Sequence, residues 1–350
     1  MRHLLKIAIS SLLLSASLAS LDVAAADTAS LGADSAVSAA TRSRQTTWKD
    51  VPTQVISSGG VEFAYRELGL QNDGPPVVFL VHLAGVMDNW DPQVVDGIAA
   101  KRHVIAFDNR GIGASSGSPS NSIEQMADDA TTFIKAKGFK QVDLFGFSMG
   151  GMIAQEIALK DPQLVRKMIL AGTGPAGGDG ISTVAGVANV DLMRATFTGQ
   201  DPKQYLFFTR TPAGIEAGKA FIKRLQERSD GRDKDITVRA YVAQLQALSA
   251  WGQKQSADLS VVKQPVLVVN GDDDRMVPTP NSYDLAKRLP NSQLVSTPTR
   301  VTAAFSSTTT TSSPRLSRFL RNRPTAENCY IRTIQHDRHA PHCADPLRRS

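Results

Sequence analysis

The 350-residue chain is predicted to be an α/β protein with a mostly parallel sheet. Three observations carry that expectation. Apolar, β-branched runs recur along the body, in PPVVFLVHLAG, HVIAFDNRGIG, QVDLFGFS, VRKMILAGT and PVLVVNGDDD. The first two of these end in glycine-containing turns, and segments of helical period lie between the runs. Strand, helix, strand, helix is the order of parallel strands joined by crossover helices. A hydrophobic fraction of 41% and a charged fraction of 21% are those of a soluble globular protein.

The elements follow in order. Arg2, His3 and Lys6 precede the apolar run IAISSLLLSASLASL, and small residues lead up to Asp27, so residues 1–26 are expected to be a secretory signal peptide. That places the mature protein in the periplasm or outside the cell, with no stable membrane span once the leader is cleaved. Residues 27–50 are rich in Ala, Ser and Thr without a period and are expected to be a flexible linker. VEFAYREL alternates apolar and polar side chains, as a half-buried strand does. PPVVFLVHLAG is continuously apolar, which suits a central strand covered on both faces. In SIEQMADDATTFIKAKG, Ile123, Met126, Ala130 and Phe133 share one helical face, Gly138 stops the helix, and Ser122 with Gln125 fits a capping box. A helix from about Met149 to Leu159 follows QVDLFGFS. The core is thus expected to comprise 51–173 and 261–295, closing with helix NSYDLAKRLP and a strand that ends at Val295.

Between 174 and 260 the alternation stops. AGKAFIKRLQER and VRAYVAQLQALSAW are helical in period, with no strong strand between them. A helical insertion at this point sits over the carboxyl ends of the strands, where open α/β sheets place their binding crevice. It is expected to be a cap that shapes a pocket.

The net charge of +6 resides in the last segment. Residues 296–350 hold nine arginines, no lysine and three acids, so the body is balanced and gives no electrostatic reason to expect nucleic acid as a partner. Both cysteines, Cys329 and Cys343, lie in that same segment. HDRHAPHC has the right chemistry for zinc, but its spacing matches no zinc motif, and no metal site is expected.

The stretch DLFGFSMGGM carries the chemistry. Gly146-x-Ser148-x-Gly150 falls between an apolar strand and a small-residue helix. A turn sharp enough to lift Ser148 into the crevice strains its backbone, and the flanking glycines remove side chains that would collide. The new helix aims N–H groups at the site, with that of Met149 the first expected donor to an oxyanion.

The body from about 61 to 295 resembles the α/β-hydrolase superfamily, in particular small capped hydrolases grouped with esterases, lactonases and cofactor-free haloperoxidase-like enzymes. The likeness rests on VHLAGVMDNWDP, FDNRGIGASSG, GFSMGG and NGDDDRMVP, in the family's order. It implies a serine hydrolase acting on a small carboxylic ester or lactone through an acyl-enzyme, with no cofactor. By position Leu83 supplies the second oxyanion N–H, where relatives usually carry glycine, and His82 supports that loop. Gly271-Asp272-Asp273-Asp274-Arg275-Met276-Val277-Pro278 matches the family's acid motif and singles out Asp274. A serine at position 148 argues against dehalogenase and epoxide hydrolase chemistry. Two other uses of the pocket stay open: ligand binding without catalysis, and haloperoxidase-like perhydrolysis.

In this family the order is serine, acid, histidine. The histidine is expected on a loop just after Val295, but none occurs before His336, which is followed by His339 and His342. Instead, twelve of the nineteen residues from Ser296 to Pro314 are Ser or Thr. Residues 296–350 are therefore expected to be a disordered, low-complexity tail that is out of frame. One GC-rich codon choice for this stretch, read from the third base of Ser296, gives YPDAGHGGVFQYHDDFVPQALAF. That string restores a Gly-His-Gly loop and an amphipathic last helix. This chain is accordingly expected to be impaired as a catalyst.

Overall fold

The computed structural model describes residues 46–272, 274–297 and 318–320. The expected leader, most of the expected linker and nearly all of the expected tail lie outside the described residues.

Eight strands form one sheet: β1 (Gln54–Ser58), β2 (Val61–Leu68), β3 (Val77–Leu80), β4 (Val104–Phe107), β5 (Val142–Phe147), β6 (Val165–Ala171), β7 (Val266–Gly271) and β8 (Ser292–Thr297). Their spatial order is β1-β2-β4-β3-β5-β6-β7-β8. β2 runs against both its neighbours, and the pairs from β4 through β8 are all parallel. The fold is the mostly parallel α/β architecture that the alternating runs predict.

β3 and β4 are apolar at every position because helices cover both faces of the sheet. Val78, Leu80, Ile105, Leu144, Met168 and Leu170 pack on one side with α2 (Ile123–Ala136) and α3 (Met149–Lys160). Val77, Phe79, Ala106, Phe145, Ile169 and Val269 pack on the other, against α1 (Pro92–Ala99) and Trp90. The two sets alternate along each strand, which is the two-residue period of a pleated sheet. Ser122 caps α2 by accepting from the Gln125 N–H at 3.3 Å.

Between β6 and β7 the chain leaves the sheet for α4 (Val184–Thr198), α5 (Pro202–Phe207), α6 (Pro212–Leu225) and α7 (Val238–Gln253). It returns through β7 and α8 (Pro280–Arg288) to β8. Among the described residues no helix is long and apolar enough to cross a membrane.

Three local expectations are corrected. β2 is not half-buried: only Glu62 among its residues is exposed. Arg66, polar in the alternation, is fully buried, its guanidinium donating to Asp88 at 2.6 Å and to Asp233 of the insertion at 2.7 Å. The linker does not run to residue 50, since Trp48 is buried and its N–H donates to Asp96 at 2.7 Å. A large aromatic ring outweighs the Ser- and Thr-rich context that surrounds it. At the other end β8 reaches Thr297, and three residues of the tail dock on the sheet as a helical turn. There Leu320 is buried, Arg102 donates to its carbonyl, and the Lys167 ammonium donates to the Phe319 carbonyl at 2.8 Å. An average over the whole tail hides these two large apolar side chains.

Candidate active site

Ser148 sits at the step from β5 into α3 with φ 53° and ψ −118°, a left-handed backbone that side chains rarely adopt. Its N–H donates to Ala171 at 2.8 Å, pinning the turn to the neighbouring strand. The flanking glycines are required by close approach. A Cβ on Gly150 would lie 1.8 Å from the Leu80 carbonyl oxygen, and one on Gly146 would lie 2.5 Å from that of Gly150. Met149 opens α3 with its side chain fully buried in the core, so its backbone is fixed beside Ser148.

Above the turn lies a cavity of about 780 Å³, counting its open mouth. The strand ends contribute His82, Leu83, Ser148, Gly172 and Asp274 to its wall. The insertion contributes Ala188 and Leu192 of α4, Lys203 and Phe207 of α5, and Tyr241 of α7. The structure therefore brings Ser148, Asp274, Leu83 and His82 to one mostly apolar space. Met149, Gly146 and Gly150 lie behind it.

Asp274 follows β7 in an Asx-type turn. One of its carboxylate oxygens accepts from the N–H groups of Met276 at 2.8 Å and Val277 at 3.0 Å. Asp273 is not among the described residues. The next side chain, Arg275, bonds Asp191 of α4 at 3.2 Å, so the loop after β7 is tied to the insertion.

The loop after β3 is tied as well. His82 is buried between the rings of Phe147 and Phe207, with centroids 5.3 and 5.1 Å away. Its Nδ1 lies 2.7 Å from the Leu83 carbonyl oxygen, so Nδ1 carries the proton and donates. Burial lowers its pKa to about 4, which keeps the imidazole neutral at neutral pH. Leucine replaces the usual glycine at position 83 without strain, because the left-handed residue of this loop is Ala84, at φ 60°. The Ala84 N–H donates to the side-chain oxygen of Gln244 on α7 at 2.7 Å.

His82 is the single described histidine on the cavity. His103 pairs with Glu67 at 3.1 Å, at the far end of the sheet. His336, His339 and His342 lie outside the described residues. Trp90 packs on Phe79, with ring centroids 4.8 Å apart, and does not line the cavity. Asp108 ties loops together, accepting from the Met87 N–H at 3.0 Å and the Ala114 N–H at 3.2 Å. Sequence reasoning missed Lys203, Phe207, Tyr241 and Gln244. Tyr241 and Gln244 come from α7, whose only visible signal is a period, and Lys203 and Phe207 from the six-residue α5, too short to show one.

Comparison with known proteins agrees with this geometry. A family described as alpha/beta hydrolase fold matches residues 75–299. "Putative non-heme bromoperoxidase BpoC" of Mycobacterium tuberculosis is 26% identical over 255 residues, covering 68% of this chain and 89% of that protein. "Putative carbamate hydrolase RutD" of Agrobacterium fabrum is 25% identical over 225 residues, covering 63% and 84%. An alpha/beta hydrolase fold protein from Chitinophaga pinensis superposes with a TM-score of 0.72 at 34% identity, covering 79% of this chain and 100% of that one. A strained serine at a strand-to-helix turn, an acid loop after a later strand and a matching family over most of the body lead to one conclusion: the chain belongs to the α/β hydrolase fold family.

Proposed function

We propose that this protein is an exported serine hydrolase that cleaves a small carboxylic ester or lactone through an acyl-enzyme. The observation that carries the reading is the left-handed Ser148 at the floor of a cavity that Asp274 and Leu83 also line. Ser148 Oγ attacks the acyl carbon, and the N–H groups of Leu83 and Met149 stabilise the oxyanion. A histidine oriented by Asp274 accepts the serine proton and passes it to the departing alkoxide. Water then releases the acid by the same steps in reverse roles. No metal or cofactor enters this route. The likeness to a protein named as a carbamate hydrolase supports hydrolytic chemistry at a carbonyl.

The histidine is assigned to the alternative frame that opens at Ser296, as a Gly-His-Gly loop directly after β8. Without it the chain retains only weak catalysis, because removing one triad member costs several orders of magnitude in rate. The nucleotide sequence at codon 296 is one test. A fluorophosphonate probe is the other. It labels Ser148 rapidly in the restored-frame protein and slowly in the present chain, and Ser148→Ala abolishes labelling in both. Absence of labelling in the restored-frame protein overturns the reading.

A second reading is favoured by one observation, that no described residue past Asp274 is a histidine. It makes the protein a binding module that holds an intact ester. Equilibrium binding of an ester with no labelling and no turnover selects it. The likeness to a protein named as a bromoperoxidase keeps perhydrolysis as a third use of the same serine, read by peroxide-dependent halogenation.

A further inference from the structure

Of the residues that line the cavity, only Asp274 and Lys203 carry a formal charge, His82 being neutral. Lys203 comes from the short helix α5, and its side chain is 19% exposed. The nearest carboxylate is that of Asp201, at 3.7 Å, which is beyond hydrogen-bond reach. The same Asp201 oxygen accepts from the Lys203 backbone N–H at 2.9 Å, so it already holds the start of the helix. Among the described residues the Lys203 ammonium donates no hydrogen bond, and Leu192, Leu206 and Phe207 share the wall with it.

Two other partly buried lysines each donate to at least one acceptor. Lys137, at 14% exposed, donates to the Tyr65 hydroxyl at 3.0 Å and to Glu67 at 3.1 Å. Lys167 donates to the Phe319 carbonyl at 2.8 Å. An ammonium has three donors and is costly to desolvate without acceptors. Among the described residues Lys203 keeps only the 3.7 Å ion pair with Asp201, and it lines the cavity above Ser148.

We propose that the cavity is selective for esters or lactones whose acyl part carries a second, free carboxylate, and that Lys203 reads that carboxylate. The apolar wall takes the intervening methylenes while the ester carbonyl lies at Ser148. Lys203 is a specificity residue here and takes no part in proton transfer. The word ester rests on the function proposed above, whereas recognition of the anion does not.

The test compares equilibrium binding of monomethyl adipate with that of methyl hexanoate, which matches it in length and lacks the free carboxylate. The expected result is about tenfold tighter binding of monomethyl adipate, the scale of one charge-assisted hydrogen bond. The preference shrinks with added salt. Lys203→Met abolishes it, and Lys203→Arg retains most of it, with far-UV circular dichroism confirming that both variants fold. Equal binding of the two ligands, or a preference that survives Lys203→Met, overturns the proposal. If Ser148 is labelled and the preference is absent, this inference fails alone. If the preference is present and Ser148 is never labelled, the hydrolase reading fails and the anion site stands.

Discussion

His82 is held by two unlike forces, a hydrogen bond to its own loop and a wrap of aromatic rings. Burial takes its pKa from 6.5 to about 4, so protonation is resisted in the folded state and not in the unfolded one. Between those values the unfolded chain binds the extra proton, and stability falls as pH is lowered from 6.5 through 4. The full difference amounts to about 3 kcal/mol. His82→Asn keeps a donor for the Leu83 carbonyl and removes the titration. Urea midpoints at stepped pH are expected to show a shallower acid slope in the variant, and identical slopes would assign the titration to another group. Individual residues were legible where a backbone constraint left a mark: Gly146 and Gly150 are glycines because Leu80 and Gly150 itself crowd them. Ala84 left no such mark. Its left-handed backbone is one residue past the position where glycine is usual, and alanine does not advertise it.

Helices α4 and α7 do more than roof the cavity, because each reaches down to a loop at the strand ends. Asp191 on α4 holds Arg275 beside Asp274, and Gln244 on α7 holds Ala84 beside Leu83. Gln244→Ala is expected to slow phosphonylation of Ser148 by about tenfold while leaving the affinity for methyl hexanoate unchanged, since a misplaced donor harms the transition state more than the ground state. Gln244→Glu keeps an acceptor for the Ala84 N–H and is expected to recover most of the rate. Equal losses in rate and affinity in both variants would mean general damage to the cap. α6 and α7 were visible from their period alone, and α2 from its period with its cap and stop. α4 was not, for a physical reason. Ala188 and Leu192 face the cavity while Val190, Met193 and Phe197 are exposed, so the helix is apolar around much of its girth and its period is faint.

Body and insertion are joined by buried charge. Arg66 on β2 meets Asp88 and Asp233, and the two aspartates each accept the other's backbone N–H, at 2.8 and 2.9 Å. Arg66→Leu removes the nearest cation from two buried carboxylates, leaving Asp88 only the Arg228 and Arg232 guanidiniums at 3.8 and 3.7 Å, and is expected to cost about 3–5 kcal/mol. A shift of the urea midpoint checks it, and a loss below about 1 kcal/mol, the value of an exposed pair, would refute it. Strands β2 to β8 were legible in advance because each declares itself locally, whereas the short edge strand β1 was not. This junction was not, because an arginine in an alternating strand reads as a solvated residue until its distant partners are known.

β6 and β7 lie side by side in the sheet, and the chain leaves the first and re-enters through the second. The whole roof therefore hangs from two adjacent points, like a handle on a drawer front. A foreign segment of different length can be spliced there without re-registering any other strand, provided it keeps a carboxylate for Arg66 and partners for Arg275 and the Ala84 N–H. Diversity in what such a protein accepts can then accumulate above the sheet while the machinery beneath stays still.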